Sequence, residues 1–459
     1  MSEPEQRRPS TPSRSAPSLA ETVAATGVLA RSPWLLLAGF VAVHAWLVSR
    51  ALAHSSAIFG DVGLYEWWIW NGQANGVWPV LDTEWVYPAG ALLPLVVAGL
   101  GPWPYAAGFV GLVILLNALA LAYLWDHRPF GTYGGWFWLA FLALLGPISL
   151  GRIDGIVAPL ILVAATAGLR HPRTAAAIAT AGAWIKIAPA AVFLTVLTFT
   201  RRRVPVLAVG AAVSAAVVVT AMALGSGTRV FSVFGEQGKR ALQAESVLAT
   251  PFSLARLWNG GTGTAAPVYN EEIYTYEFLS PAADAVARAL DLVLPLAVVA
   301  LLALGWWAWR RNPRQVQAVF LLTTQAVLVA LVVFNKVGSP QFIAWLGPVV
   351  AVGLSAGRHL RLPWEIPALG LLAAAALTQL VYPVDYGGFI LAEPTMVVVA
   401  ALRNLLVVAV LVAVVVELVG IARHRRGRRG AGRVEGAAPR PLPAEEPAEQ
   451  SAVPEGAAS

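Results

Sequence analysis

The chain has 459 residues, of which 58% are hydrophobic and only 12% charged, with a mean hydropathy of +0.66 and a pI near 9.9. A soluble domain carries about 25% charged residues, so this composition excludes one and selects a polytopic membrane protein. There is no cysteine, which excludes disulfides and thiolate metal sites. The basic pI does not point to nucleic acid, because the arginines cluster between apolar runs, as cytoplasmic turns do.

Unbroken Leu/Val/Ala runs select helices over alternating strands, since a backbone in lipid must satisfy its own hydrogen bonds. Residues 1–33 are polar and Pro/Ser-rich, and residues 421–459 open on IARHRRGRRGAGR and continue as an acidic, Pro-rich stretch. Both read as disordered cytoplasmic tails flanking a membrane domain at 34–420. Basic clusters at Arg128, Arg170 and Arg173, Arg201 to Arg203, Arg310 to Arg314, and Arg358 and Arg361 mark the cytoplasmic turns. The run 34–53 then crosses outward. Ala51-Leu52-Ala53 resembles a signal-peptidase site, but the long segment before it favours an uncleaved anchor.

The stretch 55–87 follows as an outer loop holding four carboxylates (Asp61, Glu66, Asp82, Glu84) and five tryptophans (Trp67, Trp68, Trp70, Trp78, Trp85). The run 88–125 returns with a break at Gly101 to Pro104, and 132–149 with 155–169 makes a hairpin whose outer tip is Gly151 to Gly155. The run 174–199 begins and ends at cytoplasmic arginines yet is about one span long. It reads as two short helices that turn back at Lys186 to Pro189. Runs 204–224 and 284–309 flank a second outer loop at 225–282; 315–333 and 341–357 carry FNKVGSPQF at their tip; 364–382 and 396–420 close the chain. The expectation is an all-α fold of about ten crossings plus re-entrant pieces, roughly twelve to thirteen helices. All three lysines (Lys186, Lys239, Lys336) and the loop carboxylates fall on the outer side or within the bilayer in this threading. The outer face therefore holds the chemistry.

Asp61 opens an aromatic amphipathic stretch, VGLYEWWIWNG, and serves as a general base or as a helix N-cap. Glu66, Asp82 and Glu84 read as solvated loop charges, Glu66 with a substrate-binding alternative. The tryptophans are interfacial anchors, with Trp67 and Trp68 offering flat faces to a sugar ring. Lys186 lies inside an apolar run, where its charge costs about 2.5–3.5 kcal/mol, and Pro189 breaks the helix beside it; a phosphate partner is the functional reading. Asn335, Lys336, Ser339 and Gln341 share one tip and suit an anionic head group, an ordinary turn being the other reading. Arg152 and Asp154 are expected to pair with each other. The stretch GEQGKRALQAESVLATPFSLARLWNGG has the pattern of a surface-lying amphipathic helix carrying Glu236, Lys239, Arg240 and Glu245, with acceptor binding as the second reading. The glycines of NGGTGTAAP follow no strand and do not make a nucleotide loop. No metal site or cofactor is indicated.

The order of these features carries a resemblance. An aspartate in the first outer loop (Asp61), Tyr87-Pro88 at the start of the next helix, Lys186-x-x-Pro189 in a short central helix and a late Ser339-Pro340-Gln341 tip followed by Trp345 and Pro348 resemble the family 87 glycosyltransferases. These are GT-C enzymes similar to the actinobacterial polyprenol-phosphate-mannose-dependent α-1,2-mannosyltransferases. The resemblance spans residues 34–420. It implies a GT-C fold, an outward active site, a polyprenyl-phosphate sugar donor, no nucleotide sugar and no metal; the expected location is the plasma membrane and the expected acceptor a glycolipid or lipoglycan, with a protein acceptor staying open on sequence. The family's first-loop aspartate maps onto Asp61, its short-helix lysine onto Lys186 and its Ser-Pro-Gln tip onto Ser339 to Gln341. The residues themselves add Lys336 and, as a lesser candidate, Arg152 to Lys186 as donor-phosphate contacts beside the base Asp61, and Glu66, Trp67, Trp68, Tyr87, Asp154, Asn335, Ser339 and Gln341 as substrate contacts. Two positions depart from the family: Tyr87-Pro88-Ala89 where Tyr-Pro-Pro is common, and Gly151-Arg152 where Gly-Gln is common. The second replaces an amide that reads a hydroxyl with a cation. Two other classes stay open on sequence: a secondary transporter, which predicts paired broken repeats, and a non-catalytic glycolipid-binding protein that tolerates loss of Asp61.

Overall fold

A computed structural model describes residues 32–128, 131–259, 266–356 and 364–423. Nearly all of both tails, Arg358 and Arg361, and most of NGGTGTAAP lie outside these residues. Of the described residues, 78% are helical. Among them, seven helices are long and apolar enough to cross a membrane: 33–53, 105–127, 203–223, 281–311, 313–333, 365–384 and 394–423.

In chain order, α1 is Pro33–Ala53, with Ser32 capping it and Pro33 at its first turn. A helical turn at Ser55–Ile58 leads into α2, Gly60–Asn75, which ends at Gly76 in the left-handed conformation. Next come α3 (Leu92–Ala98), α4 (Tyr105–His127), α5 (Gly131–Leu145) and α6 (Asp154–Ala167). The break expected at Gly101 to Pro104 separates α3 from α4. The run 174–199 forms two short helices, α7 (Pro172–Ala183) and α8 (Ala190–Phe199), interrupted at 184–189 as the Lys-x-x-Pro spacing predicts. Then α9 (Arg203–Ala223) leads into the second loop.

That loop does not form the single amphipathic helix the sequence pattern suggests. A short α10 (Ser232–Gly238) stops at Lys239, β1 (Leu242–Gln243) follows, and α11 (Thr250–Trp258) starts afresh at Pro251. With β2 (Val268–Asn270) and β3 (Thr275–Phe278), β1 makes a three-stranded antiparallel sheet in the order β1-β3-β2, pairing Leu242 with Phe278 and Tyr269 with Tyr276. Tertiary pairing overrides the helical period here because Leu242, Ala244 and Phe278 join a small buried cluster of their own. The chain then runs through α12 (Pro281–Arg311), α13 (Val316–Val333), α14 (Gly347–Ser355), α15 (Glu365–Gln379), α16 (Tyr386–Ile390) and α17 (Pro394–Arg423).

Burial separates two kinds of apolar helix. In α13 every residue from Ala318 to Val333 is buried, as expected of a helix hydrophobic all round, and it packs against α12, α8 and α17. On α12, by contrast, Leu292, Leu296 and Val299 are exposed, and on α9 so are Val204, Leu207, Val219 and Met222. These stripes are the surface that lipid covers. The runs 132–149, 155–169 and 341–357, each expected to be a crossing, hold helices of only 15, 14 and 9 residues, and most of their residues are buried. Their apolar side chains face the protein core more than lipid, and seven of the ten expected crossings have, among the described residues, the length and composition of a span by themselves.

Small residues set the closest approach. A Cβ on Gly134 of α5 would stand 1.9 Å from the Ser355 Oγ and 2.1 Å from the Ala351 carbonyl oxygen of α14, the tight small-residue contact common between membrane helices. Gly134→Ala is expected to destabilise the protein by about 1–3 kcal/mol, the scale of core overpacking, read as a lower melting temperature in detergent. An unchanged melting temperature would show that the two helices can part without cost.

Candidate active site

The first turn of α2 carries Asp61 on the same face as Tyr65 and Trp68, as the helical period requires. Its carboxylate does not cap the helix; Phe59 occupies the N-cap and makes no side-chain hydrogen bond. Instead, Asp61 Oδ2 lies 3.0 Å from Arg152 Nε. The expected Arg152–Asp154 pair does not form. Arg152 Nη1 donates to the carbonyls of Ile58 (2.5 Å) and Gly151 (2.8 Å), and Nη2 to Ala57 O (3.1 Å) and the Tyr382 hydroxyl (2.9 Å). A guanidinium has five N–H donors, and Nε, Nη1 and Nη2 between them use all five on these partners and Asp61. The Tyr382 hydroxyl in turn donates to Ala57 O at 2.5 Å. Arg152 is thus a buried brace across 91 residues of sequence that fixes the angle of Asp61. The side chain of Asp61 remains 36% exposed, and among the described residues its Oδ1 has no hydrogen-bond partner.

Asp154 opens α6 and is 1% exposed. One carboxylate oxygen accepts from Lys186 Nζ at 2.8 Å and the other from Trp345 Nε1 at 2.7 Å. Lys186 sits in the α7–α8 break, where Pro189 supplies no N–H. Its ammonium faces the rings of Phe342 (4.8 Å), Tyr87 (5.6 Å) and Trp345 (5.7 Å), within cation–π range. The Tyr87 segment reaches this break because Gly90 lies against the Trp184 carbonyl, where a Cβ would come within 2.8 Å of the oxygen. Lysine, aspartate and tryptophan thereby tie three separate parts of the chain together.

Between Asp61 and Lys186 lies a block of rings. Tyr65, Trp68, Trp85 and Tyr87 contact one another with centroids 5.5–6.2 Å apart, and the Tyr65 and Tyr87 hydroxyls are 3.3 Å apart. Burial pushes the Tyr87 phenol far above its ordinary range, and the Asp61 charge pushes it the same way. Tyr65 is raised by the same burial, with Tyr87 and Asp61 adding to it. Both phenols therefore stay protonated and remain hydrogen-bond donors.

Other expected residues fall elsewhere. Glu66 and Trp67 are exposed on the outer face of α2. Asp82 Oδ2 accepts from the Trp78 backbone N–H at 2.8 Å, a turn role, and Glu84 stands 3.9 Å from Lys239. At the late tip, Asn335 Oδ1 accepts from Val337 N at 2.9 Å. Lys336 is buried against Asp291 of α12 (2.9 Å) and the Gly238 carbonyl (3.1 Å). Ser339 and Gln341 are half-buried, with no side-chain hydrogen bond among the described residues. Residues missed in sequence are Tyr382, Phe342 and Asp291, none of which carries a local signal, and Arg403. The last was conspicuous in retrospect: an arginine in the middle of a strongly apolar run. It meets Glu245 at 3.1 Å, both side chains almost fully buried, which removes Glu245 from the exposed helix face expected of it.

The profile of glycosyltransferase family 87 matches residues 85–334, more than half of the 459 residues. The chain belongs to glycosyltransferase family 87. It is an enzyme that transfers a sugar from a donor to an acceptor, and its seven apolar helices make it a membrane glycosyltransferase. The transporter and the non-catalytic readings fall with that assignment. No curated protein and no solved structure matches the chain. The matched segment of this glycosyltransferase contains Tyr87, Arg152, Asp154 and Lys186; Asp61, Trp345 and Tyr382 lie outside it and are joined to it by the hydrogen bonds and the ion pair above.

Proposed function

We propose that this glycosyltransferase moves a hexose, mannose first among the choices, from a polyprenyl-phosphate donor to a hydroxyl of a glycolipid or lipoglycan. The reaction is placed on the outer face of the plasma membrane, with both termini cytoplasmic and a GT-C architecture. The observation that carries this reading is Asp61: a half-exposed carboxylate held at a fixed angle by a buried arginine, with one oxygen uncommitted, on the loop helix beside a block of aromatic rings.

The chemistry is a single displacement. The acceptor hydroxyl gives its proton to Asp61 Oδ1 as its oxygen attacks the anomeric carbon, while the bond from that carbon to the phosphate oxygen breaks and the polyprenyl phosphate leaves with the electron pair. The anomeric configuration inverts. The positive charge that builds on the sugar ring is stabilised by the nearby carboxylate, as in glycosidases. Charge building on the leaving phosphate calls for fixed cations. Lys186 has N–H donors beyond the one given to Asp154 and, with the Tyr87 hydroxyl, forms the phosphate side of the site. Trp68 is the ring for the sugar face, and Ser339 and Gln341 are uncommitted groups for its hydroxyls.

The test uses the purified full chain in vesicles with membrane glycolipid as acceptor, comparing radiolabelled polyprenyl-phosphate mannose with a nucleotide-activated mannose. Transfer from the lipid-linked donor alone, giving a product of opposite anomeric configuration, is the expected result. Transfer from the nucleotide sugar alone, or retention of configuration, overturns the reading.

A further inference from the structure

The cations singled out as phosphate ligands are each neutralised within the protein. Arg152 has Asp61 at 3.0 Å, Lys186 has Asp154 at 2.8 Å and Lys336 has Asp291 at 2.9 Å. Lys239, exposed nearby, has Glu236 at 2.5 Å. A departing phosphate dianion thus meets ion pairs at each of these four residues, whereas Arg240, next in sequence to Lys239, is not paired in this way. Arg240 has no carboxylate within 4.0 Å among the described residues, and its Nε is buried without a hydrogen-bond partner.

Its position is fixed by its neighbours. Ser232 Oγ accepts from Trp85 N at 3.0 Å and Gln237 Nε2 donates to Val86 O at 3.3 Å, so α10 lies along the 85–87 segment. Lys336 Nζ donates to Gly238 O, and the Ala241 N–H donates to Glu277 Oε1 at 3.1 Å. Arg240 is therefore set between the 85–87 segment that delivers Tyr87 and the tip that carries Lys336, Ser339 and Gln341. Burial works against its charge, while Tyr87, Glu277 and Glu236 act on it in the opposite sense. Glu277 is itself engaged by Ala241 N and by Asn270 Nδ2 at 3.0 Å, which leaves the guanidinium without a direct partner. A partly buried guanidinium held this way carries a desolvation cost that an anion would repay, and its fork geometry suits phosphate oxygens.

We infer that Arg240 is the uncompensated cation of the active site and binds the phosphate oxygens of a lipid-linked substrate, beside Tyr87 and Lys186. This rests on the donor class given under Proposed function. The phosphate is either that of the polyprenyl-linked donor or a phosphodiester of a glycolipid acceptor, and the two differ in which Michaelis constant responds.

The experiment takes the full chain with Arg240→Ala, Arg240→Lys and, as a neighbouring control, Lys239→Ala. Each is measured for the melting-temperature shift caused by polyprenyl monophosphate, the donor without its sugar, and for KM towards donor and acceptor. The expected result is a stabilising shift in the wild type and Lys239→Ala, lost in Arg240→Ala and partly kept in Arg240→Lys. A rise of roughly ten- to a hundredfold in donor KM should accompany it, the worth of one hydrogen bond to a charged group. A rise confined to the acceptor KM, with the polyprenyl phosphate shift intact, assigns Arg240 to the acceptor phosphodiester. An Arg240→Ala enzyme with the wild-type shift and both KM values unchanged overturns the inference. A wild type that is not stabilised by polyprenyl phosphate and does not use the lipid-linked donor overturns the donor reading itself, and with it this inference. Should Arg240→Ala not fold, Arg240→Lys decides by the same readings, because lysine keeps the charge and loses the fork.

Discussion

Asp61→Asn is expected to lower kcat by roughly 10²–10⁴, the contribution of a positioned general base, at unchanged protein abundance. Asparagine keeps the shape of the side chain, and its amide oxygen can still accept from Arg152 Nε, but it cannot take the acceptor proton. The substitution also leaves the buried Arg152 guanidinium without a counter-charge, so some loss of stability accompanies it. The four hydrogen bonds from Arg152 to Ile58, Gly151, Ala57 and Tyr382 remain to hold that residue. Melting temperature and turnover are therefore measured on the same preparation. A loss of turnover far larger than the fraction unfolded identifies the base. Wild-type turnover in Asp61→Asn would sink that role and leave the carboxylate as a partner for Arg152 alone.

Local signals carried much of the fold and the edges of the site. The Lys-x-x-Pro break between α7 and α8, the capped start of α1 and the aromatic helix after Phe59 each follow from residues within a few positions of one another. The partners did not. Arg152 stands two residues from Asp154, and sequence proximity favours that pair; Asp154 lies instead at the start of α6, facing the break that carries Lys186, while the arginine reaches back to the carbonyls at the end of the Ser55–Ile58 turn. Whether an apolar run meets lipid or core was equally hidden, because α13 and α12 have similar hydropathy and only burial separates them. The second outer loop misled for a related reason. Its helical period is real over α10 and α11, but Glu245 between them is drawn into the core by an arginine on α17, 158 residues later. One departure from the family pattern gains a meaning in the structure. The cation at position 152 does not face outward to read a hydroxyl; it is the brace for Asp61.

That buried Arg403–Glu245 pair yields the largest stability effect expected of a single substitution. Arg403 Nη1 and Nη2 donate to Glu245 Oε2 and to its backbone carbonyl, both at 3.1 Å. Its Nε donates to Asn404 Oδ1 at 3.0 Å, and Asn404 Nδ2 donates to Thr250 Oγ1 at 2.8 Å. The network binds the second outer loop to α17 and approaches the active site through Tyr386, whose ring meets that of Tyr382 at 5.4 Å. Arg403→Leu strands a buried carboxylate and is expected to cost about 3–5 kcal/mol, whereas the double substitution Arg403→Leu with Glu245→Leu is expected to recover most of it, as buried ion pairs often tolerate joint replacement. The pH dependence has a definite sign. Burial raises Glu245 above the ordinary glutamate range, opposed in the wild type by Arg403, and removing Arg403 raises it further. A carboxyl whose folded pKa exceeds its unfolded value incurs no penalty below the unfolded pKa, and the penalty builds as pH rises towards the folded one. The deficit of Arg403→Leu should therefore shrink as the melting temperature is measured at falling pH through the unfolded glutamate range, and the double variant should lack that dependence. A deficit that is flat with pH, or a double variant no more stable than the single one, would mean that the arginine acts through packing of its stem against α11 and not through its charge. In that case the coupling from α17 to Tyr382 and Asp61 would be steric, and Arg403→Met would rescue where Glu245→Leu does not.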